Sequence, residues 1–154
     1  MSAQLPQPRQ STAFDQNTDV GSIGKYPKGV RENGGQYTHG ALWYIIALYK
    51  MGKKNEAYEL LEKILPIYHS TDGRSKIYKL EPYSIAADIY AGEGLGEGGW
   101  SWYTGSASWV YITIVEHTLG ICKRGKTLTF YPNLPDKIKH ATIKTYFDGI
   151  RMEI

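Results

Sequence analysis

The sequence predicts a mainly α-helical domain followed by a small antiparallel β element. Apolar residues recur at helical spacing in four segments before residue 120, and glycine or proline interrupts each pattern. From Leu128 onward the apolar period changes to two, which is typical of strands. Asp148-Gly149 separates two such runs and is a strong signal for a two-residue hairpin turn. Helices that come in pairs joined by short connections indicate part of an α/α toroid or solenoid.

Start and stop signals place the four helices. Gly52 ends the first pattern, and Asn55 has the side chain of an N-cap for the second. Pro82 suits the first turn of the third, and Gly120 follows the fourth. The predicted helices therefore cover about 38–51, 55–65, 81–89 and 106–119.

The composition divides the chain into three regions. Residues 1–24 are polar and lack an apolar period, so they are expected to form an extended or disordered arm. Residues 25–122 carry the helical segment, and residues 123–154 carry the β element. With 154 residues, of which 42% are hydrophobic and 21% charged, the chain has the size and composition of one globular domain.

Charge, hydropathy and cysteine content limit the partners and the compartment. The net charge of +3 is small and the basic residues are scattered, so no nucleic-acid partner is expected. No apolar run has the length of a membrane span, so no membrane partner is expected. The single cysteine, Cys122, cannot form an internal disulfide, which indicates a reducing compartment and a cytoplasmic location.

Two polar loops carry the side chains with binding chemistry. The segment 29–40 combines a cation, a carboxylate, amides, a hydroxyl and an imidazole, and the segment 98–107 combines glycines, tryptophans and hydroxyls. Each loop precedes an apolar helix, and helix N-termini favour anions. Thirteen Tyr and four Trp offer rings that stack on sugars, although such rings also fill cores. The two loops suggest one site for a sugar and an anion.

Five segments of the chain carry a resemblance to a known family. They are YPKGVRENGGQYTHGALW (26–43), LEPYSIAADIY (80–90), GGWSWYTGSASWVY (98–111), LGI (119–121) and YPNLP (131–135). With these segments the chain resembles, over residues 25–154, the C-terminal part of the glycoside hydrolase family 94 enzymes, the inverting β-glycoside phosphorylases. QYTH and GGWSWYTGSA are most similar to the branch of cyclic β-1,2-glucan synthases and β-1,2-oligoglucan phosphorylases. The resemblance implies about four helices of an (α/α)6 barrel, followed by a small antiparallel β element.

The resemblance also implies a reaction and a set of binding residues. A β-glucan or glucooligosaccharide would be cleaved with inorganic phosphate as co-substrate, and no cofactor or metal would be needed. Phosphate would take the place of the water in an inverting hydrolase and would accept hydrogen bonds from an imidazole, a hydroxyl and a backbone N–H. The implied substrate-binding residues are Glu32, Gln36, Tyr37 and Trp102, and the implied phosphate-binding residues are His39, Thr104 and Gly105.

The resemblance leaves the catalytic residue outside this sequence. In the family the general acid is an aspartate upstream of the matching region, so no catalytic residue is assigned and the chain alone is expected to be inactive. The alternative function is a non-catalytic remnant or an accessory helical module that binds sugar or a partner chain.

Trp100 and Trp109 are expected in the core.

An incomplete barrel is also expected to associate, because it would leave an apolar edge uncovered. A homo-oligomer or a complementary upstream chain would cover that edge. The residues expected along it are Ile45, Ile46, Ile112 and Ile114.

Overall fold

The computed structural model describes residues 13–14 and 19–154. Its helices are α1 (Thr38–Lys50), α2 (Lys54–Ile64), α3 (Pro66–His69), α4 (Ser75–Tyr78) and α5 (Thr104–Ile112), and α5 continues as a π-helix over Thr113–Thr118. Its strands are β1 (Gln36–Tyr37), β2 (Asp88–Ile89), β3 (Gly98–Gly99), β4 (Ile121–Arg124), β5 (Thr127–Phe130), β6 (Lys144–Phe147) and β7 (Ile150–Glu153). Most of the predicted arm, residues 1–24, lies outside the described residues, and Gly21–Lys25 forms a short 3₁₀ helix.

The main core forms around α1. Leu42 and Ile45 lie three residues apart on one face of this helix and are at most 1% exposed. They share one apolar cluster with Ala57 and Leu61 of α2 and with Val110 of α5. The structure therefore confirms three of the predicted helices, those placed at 38–51, 55–65 and 106–119.

The prediction of a helix over 81–89 is wrong. Residues 81–87 form no helix, and Asp88–Ile89 is strand β2. An extended segment offers its N–H and C=O groups to neighbours on both sides, whereas a helix bonds them internally. Three hydrogen bonds of 2.9–3.1 Å use those groups: Thr38 N–H to the Ala87 carbonyl, Ala87 N–H to the Trp100 carbonyl, and Tyr103 N–H to the Ile85 carbonyl. A short apolar run fits a buried strand as well as a helix, which explains the error.

The resulting three-stranded sheet holds the two polar loops side by side. Strand β2 is central and pairs antiparallel with β1 and β3, so that Asp88 lies opposite both Tyr37 and Gly99. The side chains of Asp88 and Tyr90 pack closely over position 99, where an added Cβ would lie 2.5 Å from Asp88 Oδ1 and from the Tyr90 ring. The sheet thereby places the segment before α1 next to the segment before α5.

Two separate hairpins follow the helices. β4 pairs with β5 and β6 pairs with β7, both antiparallel. The turn predicted at Asp148-Gly149 is confirmed, and both of its residues have positive φ, 47° and 82°. The prediction of Asn55 as an N-cap is wrong, since Lys53 occupies that position. The Asn55 side chain instead forms two hydrogen bonds with Asp136, of 2.7 and 2.8 Å, which tie α2 to the segment between the hairpins.

The exposed apolar surface differs from the predicted one. Ile45 and Ile46 are buried, so the expected apolar edge does not include them. The large exposed side chains of α1 and α5 are aromatic instead, namely Trp43, Tyr44 and Tyr111. Trp100 is also exposed, contrary to its predicted place in the core. Within the described part of the chain, every helix is too short or too polar to cross a membrane.

Candidate functional site

A buried asparagine anchors the loop that carries Glu32. The Asn33 side chain is fully buried and donates from Nδ2 to the carbonyls of Tyr26 (2.8 Å) and Phe14 (3.2 Å). Its Oδ1 accepts from the Phe14 N–H at 2.6 Å. Arg31 and Glu32 occupy the tight turn between Val30 and Asn33, where Arg31 adopts φ 48°. The Glu32 side chain is left exposed at the surface of this anchored turn.

The next residues of the motif lie on strand β1. Tyr37 is 51% exposed, and its hydroxyl lies 3.2 Å from that of Tyr103 in the second loop. This hydrogen bond raises the pKa of Tyr37, and the nearby Glu32 carboxylate adds to the rise. The polar atoms of Gln36 are buried and have no hydrogen-bond partner among the described residues. Tyr37 thus faces the surface near Glu32, whereas Gln36 points into the protein.

His39 lies in the first turn of α1 within a group of aromatic rings. Its ring stacks on Tyr37 at 5.9 Å and lies 6.2 Å from Tyr103, with both distances measured between ring centroids. It makes edge-on contact with Trp43 at 4.9 Å and a tilted contact with Trp109 at 6.0 Å. These rings fix the position of the imidazole beside the first turns of α1 and α5.

Gly105 approaches this imidazole from the other loop. A Cβ added to Gly105 would lie 3.2 Å from His39 Cε1 and 3.5 Å from Nδ1, so the glycine allows the two helix starts to meet. Thr104 is the first residue of α5 and is exposed. The first turn of a helix carries backbone N–H groups without intrahelical partners. The structure therefore places His39 next to Gly105, the residue that follows Thr104 at the start of α5.

Several buried polar atoms around this junction have no hydrogen-bond partner among the described residues. They belong to neighbouring elements: β1, β2 and the first turns of α1 and α5. Buried polar groups are normally paired, and an unpaired cluster indicates that water or a ligand supplies the missing partners. The atoms are Gln36 Nε2 and Oε1, Thr38 Oγ1, His39 Nδ1, both carboxylate oxygens of Asp88, and Ser106 Oγ.

Sequence reasoning gave Asp88 no role, yet its carboxyl group is 4% exposed at the centre of the sheet. Burial raises the pKa of Asp88, while the nearby positive charge of Arg31 opposes the rise. The signal in the sequence was a single acid inside the apolar run IAADIY.

Trp102 also lies in the second polar loop, two residues before α5 begins. It is 63% exposed and has φ 61°, a backbone conformation that bulky residues rarely adopt. Its indole Nε1–H donates to Glu81 Oε1 at 3.1 Å, and its ring meets Tyr83 edge-on at 5.9 Å. Glu81 also accepts from Ser84 Oγ at 3.1 Å, and its hydrogen bonds lower its pKa. The indole ring is therefore held in a fixed orientation while it remains open to solvent.

Two helix N-termini, an imidazole, a hydroxyl and exposed rings are groups that can bind a small polar ligand such as a sugar or an oxyanion. Comparison with known proteins gives the family. Residues 3–120 match the Glycosyl hydrolase 94 superfamily, catalytic domain, and the chain belongs to this family. The match begins within the residues 1–24 for which the sequence had shown no resemblance, and it ends before the hairpins.

Three relatives illustrate the similarity. The chain is 48% identical over 122 residues to the cyclic beta-(1,2)-glucan synthase NdvB of Rhizobium meliloti (strain 1021), covering 77% of this chain and 4% of that protein. It is 29% identical over 136 residues to solabiose phosphorylase of Paenibacillus borealis, covering 86% and 17%. It is 28% identical over 121 residues to N,N'-diacetylchitobiose phosphorylase of Vibrio furnissii, covering 77% and 15%. The chain therefore spans less than a fifth of the length of these relatives.

Proposed function

We propose that this chain supplies the phosphate-binding and part of the sugar-binding site of a carbohydrate phosphorylase or glycosyltransferase that acts on β-glucosides with inorganic phosphate. The observation that carries the proposal is the contact of the His39 imidazole with Gly105 in the first turn of α5. The names of the relatives, a glucan synthase and several phosphorylases, support the same class of reaction.

In this proposal the phosphate lies at the start of α5. The Thr104 hydroxyl, the Gly105 N–H and the His39 imidazole donate hydrogen bonds to its oxygens. The positive end of the helix dipole favours the same anion. Inorganic phosphate is thus a co-substrate, and the reaction needs no further cofactor.

The sugar lies next to the phosphate, along the face formed by the two loops. The exposed Glu32 carboxylate accepts hydrogen bonds from sugar hydroxyls, and Tyr37 lines the same surface. Gln36 supports this face from below, and Trp102 provides a platform for a pyranose ring. The proton donor to the leaving oxygen is not among these residues, so the chain by itself binds ligands without turning them over. Helices α1, α2 and α5 are proposed to belong to an (α/α)6 barrel in a cytoplasmic protein.

Titration of the whole chain with inorganic phosphate tests the proposal. Isothermal calorimetry should show saturable binding that Thr104→Val and His39→Gln each weaken about tenfold, the typical cost of one lost hydrogen bond to a charged group. Thr127→Val is the matched control, because Thr127 is exposed on a hairpin away from the site. Absence of saturable binding, or equal binding by all three variants, would show that the junction is not a phosphate site.

A second candidate function is that of an accessory module that docks a partner chain. It is favoured by the exposed rings of Trp43, Tyr44 and Tyr111, which are 53–68% exposed on the two central helices. A partner of this kind, or a second copy, would cover these rings. The two functions are separated by the phosphate titration, because a docking module has no requirement for Thr104.

A further inference from the structure

Asn33 is followed in the sequence by a glycine, Gly34, whereas Asn17, Asn55 and Asn133 precede threonine, glutamate and leucine. An asparagine side chain can be attacked by the backbone nitrogen of the next residue, which closes a succinimide ring. Glycine favours this attack, because it has no Cβ to hinder ring closure and its backbone turns freely. Asn33 is therefore the asparagine of this chain with the strongest intrinsic tendency to lose its amide group.

The folded chain holds the group that would have to leave. Asn33 Nδ2 donates to the carbonyls of Tyr26 at 2.8 Å and of Phe14 at 3.2 Å, and Oδ1 accepts from the Phe14 N–H at 2.6 Å. An amide nitrogen has two N–H donors, and both are used here. Nδ2 can leave as ammonia only after these hydrogen bonds break.

The backbone and the surroundings of Asn33 oppose the same reaction. The Asn33 N–H donates to the Val30 carbonyl at 3.0 Å, and its carbonyl accepts from the Gly29 N–H at 2.8 Å. The residue is fully buried, and Gly34 is buried beside it. Water is needed to open the succinimide ring, so the reaction requires a local opening of this turn.

That opening depends on a segment far away in the sequence. Phe14 lies 19 positions before Asn33, and its ring is 42% exposed. The backbone of Phe14 therefore makes the contact, and its side chain contributes little to it. Segments with few buried apolar contacts open at a lower free energy than core helices such as α1. A movement of this segment would release two of the three hydrogen bonds of the Asn33 amide at once.

We propose that Asn33 is a deamidation site whose reactivity is controlled by its hydrogen bonds to the backbone of Phe14. When the turn opens, the Gly34 nitrogen forms a bond to Asn33 Cγ and the Cγ–Nδ2 bond breaks. Nδ2 leaves as ammonia and carries the proton of the Gly34 N–H. Water then opens the succinimide ring at either carbonyl, which gives aspartate or isoaspartate. Water is the only reagent consumed.

The product does not fit the place of the amide. A carboxylate at position 33 has no donor, so it faces the carbonyls of Tyr26 and Phe14 without a hydrogen bond. A buried charge without a partner is strongly unfavourable, and isoaspartate also lengthens the backbone of the turn. The change is irreversible, and it removes the anchor of the turn that carries Glu32.

Peptide mass mapping of the whole chain, aged in mildly alkaline buffer, tests the proposal. The readout is the mass gain when –NH₂ is replaced by –OH at position 33. Conversion should be about a hundredfold slower in the folded chain than in guanidinium chloride, because three hydrogen bonds of ordinary strength must first open. The exposed Asn55, which lacks a following glycine, should convert slowly in both conditions. Equal rates at Asn33 in the two conditions would overturn the proposal.

Two variants of one residue separate backbone from side chain. Phe14→Pro lacks the N–H that bonds to Asn33 Oδ1, so conversion of the folded variant should be roughly tenfold faster than in the wild type. Phe14→Ala keeps this N–H and should convert at the wild-type rate. Melting temperatures show whether each variant is folded. A folded Phe14→Pro variant that converts at the wild-type rate would overturn the control by Phe14.

A measurement on the wild type keeps the test decisive if Phe14→Pro does not fold. In guanidinium chloride below the unfolding midpoint, hydrogen exchange of the Phe14 N–H and conversion of Asn33 should accelerate together, before the amides of α1 exchange. Conversion that accelerates only with the exchange of α1 would mean that global unfolding controls the reaction, against the proposal. Asn33→Asp, which reproduces one product, should be cut by trypsin after Arg31 faster than the wild type. No ligand enters these measurements, so their outcome is independent of phosphate or sugar binding.

Discussion

The His39 imidazole lies against the backbone of Gly105, close enough that a Cβ on the glycine would be 3.2 Å from the ring. This contact joins the first turn of α1 to the first turn of α5. Both turns are held by the segment that leads into the central strand of the small sheet, since the carbonyls of Ala87 and Ile85 accept hydrogen bonds from the N–H groups of Thr38 and Tyr103. The two polar loops thus form one surface because of a segment that itself carries none of the predicted site residues.

The contact predicts that Gly105→Ala impairs phosphate binding without unfolding the chain. Alanine is favoured over glycine in a helix by about 1 kcal/mol, which offsets the crowding against His39. The melting temperature should stay near the wild-type value, while the phosphate affinity should fall about tenfold because the imidazole is displaced. Gly40→Ala is the matched control, since its Cβ would make an ordinary contact, 3.5 Å from the Tyr37 ring. Equal phosphate binding by both variants would contradict the role of the contact.

Asn33 predicts a coupled loss of stability and sugar affinity. Asn33→Ala leaves the Tyr26 and Phe14 carbonyls without their donor, which should lower the free energy of unfolding by about 1–3 kcal/mol. Because Asn33 anchors the turn of Glu32, affinity for glucooligosaccharides should fall as well. Denaturant unfolding and calorimetry measure the two effects.

The control for this prediction is Asn133→Ala. Asn133 donates to the His117 carbonyl at 3.1 Å, far along the chain from the Glu32 turn. Its loss should lower stability but leave sugar binding intact. If both variants weakened sugar binding alike, the effect would come from stability and not from the turn.

The sequence predicted the helices more accurately than the strands that hold the two polar loops together. In a helix with an apolar face, such as α1 with Leu42 and Ile45, apolar residues recur at a helical spacing that a short stretch of sequence reveals. The hairpin at Asp148-Gly149 was also predictable, because few residues suit two positive φ angles in a row. Strand β2 was not, since its pairing with β1 and β3 depends on residues distant in sequence.

In the candidate site, too, local motifs were predictable, whereas contacts between residues distant in sequence were not. The resemblance implied that His39 and Gly105 share a site, and the structure places them next to each other, while their role in binding stays a prediction. The positions of Arg31, Trp100 and Asp88 could not be inferred from spacing. Their contacts depend on the pairing of strands that are distant in sequence, and Trp100 is exposed and has a φ of 41°.

The half-buried histidine His69 predicts that stability falls in mild acid. Burial lowers the pKa of His69 below its ordinary 6.5, although its contact with the Lys63 carbonyl opposes the shift. The unfolded chain therefore binds the proton more readily than the folded one. The contribution of neutral His69 to the free energy of unfolding is complete above about pH 6.5. It declines as the pH falls below about 6.5 towards the lower pKa of His69 in the folded state.

Thermal unfolding between pH 5 and pH 8 measures this dependence, with pH values spanning roughly the ordinary titration range of histidine. His69→Gln should flatten the curve, and His117, whose pKa burial also lowers, should account for part of the remainder. His140→Gln, at an exposed position, should leave the curve unchanged. A wild-type melting temperature that rises on acidification would contradict the assignment.

The exposed rings of the central helices predict self-association. Tyr44 on α1 is 56% exposed and Tyr111 on α5 is 68% exposed, although both helices supply the main core. Apolar surface of this kind drives association in water unless another chain covers it. Sedimentation velocity at micromolar concentration should show a dimer or larger species, and the protein should bind a hydrophobic dye. Tyr44→Lys and Tyr111→Lys should shift it towards the monomer, while Tyr146→Lys, a ring 72% exposed on a hairpin, should not. A wild-type monomer that binds no dye would mean that these rings are stable in water, and would favour a self-sufficient accessory domain over a surface that requires a partner.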